Sequence, residues 1–137
     1  MSNISSRPDT LNNVLQITSK SLEASQQRVR NAAENMANSK SANFVPKSLE
    51  FQSKFDKAAG VHMVELKKVH EHHDQMQQIY DPTHPQADED GMVNLPKTDP
   101  LMYLMNLQEA KHEQERAIKA HEIATDMKQK IICMMSS

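Results

Sequence analysis

The sequence predicts a mainly α protein: two long antiparallel terminal helices, coiled-coil-like, around a small β- and loop-rich insertion. Three observations carry this. Both glycines, Gly60 and Gly91, and four of the six prolines, Pro46, Pro82, Pro85 and Pro96, fall between positions 44 and 98, whereas the flanks Asp9 to Ser39 and Leu101 to Ser137 contain neither residue. Each flank repeats its apolar and small residues in steps of three and four, the period of a helical seam. The middle instead shows short alternating runs broken by turn residues. The resulting division is 1–43 for the first helix, 44–98 for the insertion and 99–137 for the last helix.

In the first flank the seam reads Leu11, Leu15, Thr18, Leu22, Ser25, Val29, Ala32 and Met36, with Gln26, Gln27, Arg28, Arg30 and Glu34 on the other faces. Thr10 is the expected N-cap after Pro8. Asn38 is the expected end, because Asn tolerates the left-handed conformation of a C-terminal turn. In the insertion, Val61 to Leu66 alternates like a strand, and the prolines of Tyr80-Asp81-Pro82-Thr83-His84-Pro85 require an extended or turning path. Asp90-Gly91 is a turn signal, with Met92 to Pro96 a short extended segment after it. In the last flank Asp99-Pro100 marks a helix start, since the carboxylate accepts orphan amides and Pro fits the first helical position. Its seam runs Tyr103, Leu107, Ala110, Gln114, Ala117, His121, Ala124, Met127, Ile131 and Met134 or Met135. Glu115 with Lys119 and Asp126 with Lys130 are spaced as i,i+4 ion pairs on the solvated face.

Composition bounds the function. Hydrophobic residues make up 37% and aromatics 4% with no Trp, less than the ~45–50% apolar share of an ordinary domain. Seams this thin and polar point to helices that complete their packing on other subunits. The expected assembly surface is therefore Leu11, Leu15, Leu22, Val29, Ala32, Met36, Tyr103, Leu107, Ala110, Ala117, Ala124 and Ile131. A net charge of −2 supplies no excess positive field for nucleic acid. No apolar run reaches membrane-span length, and Met1 to Ser6 has neither the basic nor the apolar region of a cleaved secretion signal. No phosphate-cradling loop, nucleophile elbow or nucleophile–base pair is present, so no catalytic residue and no cofactor are expected.

His70, His72 and His73, with His62 and His84 nearby in sequence, are the candidate metal ligands, since imidazole is a common ligand. They come without cysteine partners, and a solvated polar run is the expectation. The lone Cys133 reads as a small apolar side chain near a helix end. His121 reads as a register-setting polar group on the seam.

The segment Leu22-Glu23-Ala24-Ser25-Gln26-Gln27-Arg28-Val29, continuing through Asn35-Met36-Ala37-Asn38, resembles the N-terminal motif of the flagellar rod and hook proteins. The segment Tyr80 to Asp99, with Tyr80, Pro82, Pro85, Asp88, Gly91, Pro96 and Asp99 in place, is similar to the pattern of the FlgC-type proximal rod family. The chain departs from that family's pattern at Ser39-Lys40, at the glycine-free Phe44-Val45-Pro46-Lys47 and at Gln114-Glu115-Arg116-Ala117. The resemblance implies a torque-transmitting structural subunit of the periplasmic rod. Its partners would be copies of itself, other rod proteins and the flagellar type III export apparatus, with export needing no cleaved signal. A soluble helical adaptor module and, further behind, a small histidine-cluster metal-binding protein are the competing readings.

Overall fold

A computed structural model describes residues 6–136, with the backbone alone for 6–9. Helix α1 spans Ser6–Ala37, and α2 spans Pro100–Met135. Between them lie strands β1 (Lys47–Asp56), β2 (Val61–Glu71), β3 (Met76–Tyr80) and β4 (Met92–Pro96), with a short 3-10 turn at His73–Gln75.

Helix α1 begins earlier than its sequence signals suggested. Thr10 lies inside the helix rather than capping it, and Pro8 falls in the first turn, where amides lack intrahelical acceptors and Pro costs little. The helix ends where expected: the Asn38 amide still reaches the Glu34 carbonyl (3.0 Å), and the Asn38 side chain donates to the same oxygen (2.9 Å). The left-handed residue is not Asn38, however, but Asn43, at φ 64°. There the connecting loop turns so that the Asn43 amide donates to the Asn94 carbonyl of β4 at 2.8 Å. Helix α2 starts as read, with Asp99 accepting from the Leu101 amide (3.1 Å) and Pro100 leading the first turn.

Strands β1 and β2 form an antiparallel hairpin, closed by a turn at 57–60 in which Gly60 adopts φ +72°. Asp56 shapes that turn by accepting from the Ala58 and Ala59 amides at 2.9 and 3.1 Å. Glu50 pairs with Lys68 and Phe51 with Leu66, so Lys67 is an extra residue that bulges the ladder. Strands β3 and β4 form a second antiparallel pair, from Met76 opposite Pro96 to Tyr80 opposite Met92.

The β1–β2 hairpin packs along α1. Asn13 holds its tip by donating to the Ala59 carbonyl at 3.1 Å. The two helices pack on each other as well, and the pairings Thr18–His121 (2.9 Å) and Arg28–Glu113 (3.2 Å) advance along α1 while receding along α2. The buried described residues of the two helices are all small: Ala24, Ser25 and Ala32 on α1, with Ala24 beside Val64 and Leu66 of β2, and Ala110 and Ala124 on α2. Small side chains let the backbones approach, and they bury little apolar area. Away from the helices, Val93 and Pro96 of β4 are the most enclosed described side chains.

Candidate assembly surface

The face of α1 that carries Arg28, Asn31 and Asn35 grips the base of the hairpin. These residues recur at steps of three and four, so they share one side of the helix. Asn35 donates to the Lys47 carbonyl (2.7 Å) and accepts from the Lys47 amide (3.1 Å). Its side chain thus occupies both hydrogen-bonding groups of the first residue of β1. Asn31 donates to the same carbonyl at 2.9 Å. Arg28 lays its guanidinium over Phe51, 4.6 Å from the ring centroid, and pairs with Glu113 on α2 at 3.2 Å. Beside them a shallow groove of about 230 Å³ opens between α1, the start of β1 and α2. It is lined by Tyr103, whose phenol is pushed above its ordinary pKa by burial.

The Pro-flanked loop between β3 and β4 is built by Asp88 and Gly91. Asp88 accepts from the Asp90 and Met92 amides (2.9 and 2.8 Å), and its own amide donates to the Met92 carbonyl (2.9 Å). Gly91, at φ +77°, sits against the Tyr80 ring and Pro82 so closely that a Cβ would lie 2.9 Å from Tyr80 Cε2 and 3.1 Å from Pro82 Cβ. Within the loop Thr83 donates to Asp81 (2.8 Å) and His84 accepts from the Gln86 amide (3.0 Å). Pro96 is buried, whereas Tyr80, Pro82, Pro85, Asp88 and Asp99 face outward. Of the helix-end motif, Asn35 and Asn38 are half-buried and Ala37 is exposed.

Of the seam residues read from the sequence, Ala32, Ala110 and Ala124 are buried. Leu11, Leu15, Leu22, Val29, Tyr103, Leu107 and Ala117 are half-buried, and Met36 and Ile131 are exposed. Other large apolar side chains stay open on α2, with Leu101, Met102 and Met105 near its start and Ile123, Met127, Ile132, Met134 and Met135 toward its end. His121 is half-buried and bonded to Thr18 (2.9 Å), whose hydroxyl also donates to the Leu15 carbonyl at 3.1 Å. Asp126 pairs with Lys130 at 3.2 Å, while Glu115 pairs with His112 at 3.5 Å instead of the expected Lys119.

The histidines are engaged separately. His70 bonds Glu50 (2.6 Å), His72 bonds Ser48 (2.7 Å) and His73 bonds Glu71 (3.2 Å). Among the described residues no group of three or more His, Cys, Asp or Glu side chains is placed to hold a metal ion. The His70 hydrogen bond first, then Lys67, holds the Glu50 carboxyl below its ordinary 4.5.

The sequence places Arg28 off the seam of α1 and gives Asn31, Phe51 and Glu113 no role. The period-two run Leu49, Phe51, Phe55 was the available signal for β1, and the spacing from Arg28 through Asn31 to Asn35 was the available signal for a second, polar contact stripe.

A pair of terminal helices thus carries a docked hairpin, with the Asn-Met-Ala-Asn end on α1 and the Pro-flanked loop before α2. No family model matches the chain. It is similar to the flagellar basal-body rod protein FlgC of Agrobacterium fabrum, 32% identical over 109 residues that span 74% of this chain and 78% of that protein. The chain belongs to the FlgC family of flagellar basal-body rod proteins.

Proposed function

We propose that the chain is a non-enzymatic structural subunit of the proximal part of the bacterial flagellar rod, assembling through α1 and α2. The two helices act as an antiparallel coiled coil that carries torque from subunit to subunit, with the hairpin and the Pro-flanked loop on its outside. The observation that carries this reading is the pairing of the helices through alanines and polar groups while large apolar side chains remain open along α2. Such a pair buries too little to be finished alone, and subunit packing covers the rest.

The partners are then further copies of the chain, other rod proteins and, during delivery, the flagellar type III export apparatus. The location is the periplasmic rod. No helix among the described residues is long and apolar enough to cross a membrane, which fits docking within a protein assembly. Nucleic acid, metals and cofactors have no part in it.

The test is deletion of the gene followed by complementation, with basal bodies purified and the chain located by immunogold labelling or mass spectrometry. The expected result is basal bodies that lack a completed rod in the deletion strain and contain the chain in the complemented one. Motile deletion cells with complete rods would refute the reading.

A further inference from the structure

Arg28 belongs to α1 and meets both other parts of the molecule at once. Its guanidinium carbon lies 4.6 Å from the centroid of the Phe51 ring of β1, and its Nη1 donates to Glu113 Oε2 of α2 at 3.2 Å. A planar guanidinium serves both contacts because stacking uses its face and ion pairing uses its edge. The two contacts are therefore geometrically linked. The guanidinium is rigid, so a movement that follows Glu113 also moves the group that covers the ring.

We infer that Arg28 is a positioning residue that couples the pairing of α1 with α2 to the seating of the β1–β2 hairpin. Glu113 then helps hold a hairpin with which, among the described residues, it makes no hydrogen bond or ion pair of its own. The backbone clamp of Asn31 and Asn35 on Lys47 fixes where β1 starts. Arg28 fixes the angle at which the strand leaves that point, because Phe51 lies four residues beyond Lys47. If the helices shift register, Glu113 moves, Arg28 follows and the hairpin loosens.

The test is hydrogen exchange at the amides of 49–53 in the full chain. Glu113→Gln is expected to raise exchange there about two- to five-fold, the range of an exposed ion pair. Arg28→Gln, which removes both contacts, is expected to raise it about three- to ten-fold. In the Arg28→Gln background, adding Glu113→Gln should change nothing further, and Arg28→Lys, which keeps the charge without the rigid planar group, should lose most of the sensitivity to Glu113. A Glu113→Gln variant that leaves 49–53 unchanged, or an undiminished added effect in the Arg28→Gln background, overturns the inference.

A second measurement covers a free chain too labile for exchange: swarm diameters of deletion cells complemented with each variant. This arm rests on the rod reading, and wild-type complementation checks that reading separately. The double variant should swarm no worse than Arg28→Gln alone. Multiplying defects, or no defect in any variant, would overturn the coupling.

Discussion

Gly91 and Gly60 offer a paired perturbation whose outcomes differ for a calculable reason. Both have positive φ, +77° and +72°, so an Ala at either pays the left-handed penalty of about 1–2 kcal/mol. Around Gly60 nothing lies within 4 Å of an added Cβ, and that penalty is the whole effect. Around Gly91 the added methyl meets Tyr80 Cε2 at 2.9 Å and Pro82 at 3.1 and 3.4 Å. Tyr80 is 68% exposed and its ring can turn aside, but the Pro82 ring is tied to its backbone, so overpacking adds about 1–2 kcal/mol, toward the low end of its usual range. The expected totals are about 2–4 kcal/mol for Gly91→Ala and about 1–2 kcal/mol for Gly60→Ala. Hydrogen exchange reads them locally. The Asp81 amide, bonded to the Gly91 carbonyl at 2.9 Å, should exchange about 30- to 800-fold faster in Gly91→Ala. The amide of residue 60 should gain about 5- to 30-fold in Gly60→Ala, at about 1.4 kcal/mol per decade. Adding Tyr80→Ala to Gly91→Ala should recover only part of the loss. Equal effects at the two glycines would refute the close-contact argument.

Asn35→Ala, which strips a donor and an acceptor from the Lys47 backbone, should cost about 1–3 kcal/mol and speed exchange at the Lys47 amide; Asn35→Asp, keeping the acceptor, should protect that amide better than Ala. Asp99→Ala should cost about 0.5–2 kcal/mol through loss of the α2 cap, seen as reduced helicity by circular dichroism and a lower thermal midpoint. Because the folded Glu50 carboxyl is held below its ordinary 4.5, its contribution is present above that pH and is lost as pH falls through the lowered value. In His70→Ala, the Glu50 titration midpoint followed by NMR should rise toward 4.5; a midpoint that does not move would remove His70 as the main cause.

The helices were legible because Pro and Gly punctuate this chain so unevenly, and because Asp99-Pro100 is a start signal that nothing else contests. The early start at Ser6 was hidden by Pro8, which marks a helix's first turn as readily as the residues before it. Strand β1 was hidden by its charges: Leu49, Phe51 and Phe55 keep the period of two, but Lys47, Glu50, Lys54 and Asp56 between and around them read as a polar linker. Strand β3, Met-Gln-Gln-Ile-Tyr, has no pattern of its own and exists because β4 offers an edge. The spacing of Arg28, Asn31 and Asn35 marks a polar stripe, but what the stripe clamps was not legible. Asn35 and Lys47 are 12 residues apart, and neither says alone that it will reach the other. His121 was legible for the opposite reason: a polar side chain set into an apolar seam calls for a polar group across it, and Thr18 is that group.

The distances along the chain between contacting groups also set an order of events. Thr18 and His121 lie 103 residues apart in sequence, while β1 and β2 are joined by the turn at 57–60 alone. Short closures form early and cost little entropy, and distant ones wait until the connecting segment is in hand. A chain that emerges amino end first therefore has its central hairpin in place while α1 still stands single. Only the arrival of α2 completes the helix pair, so the molecule stays open until that helix has emerged.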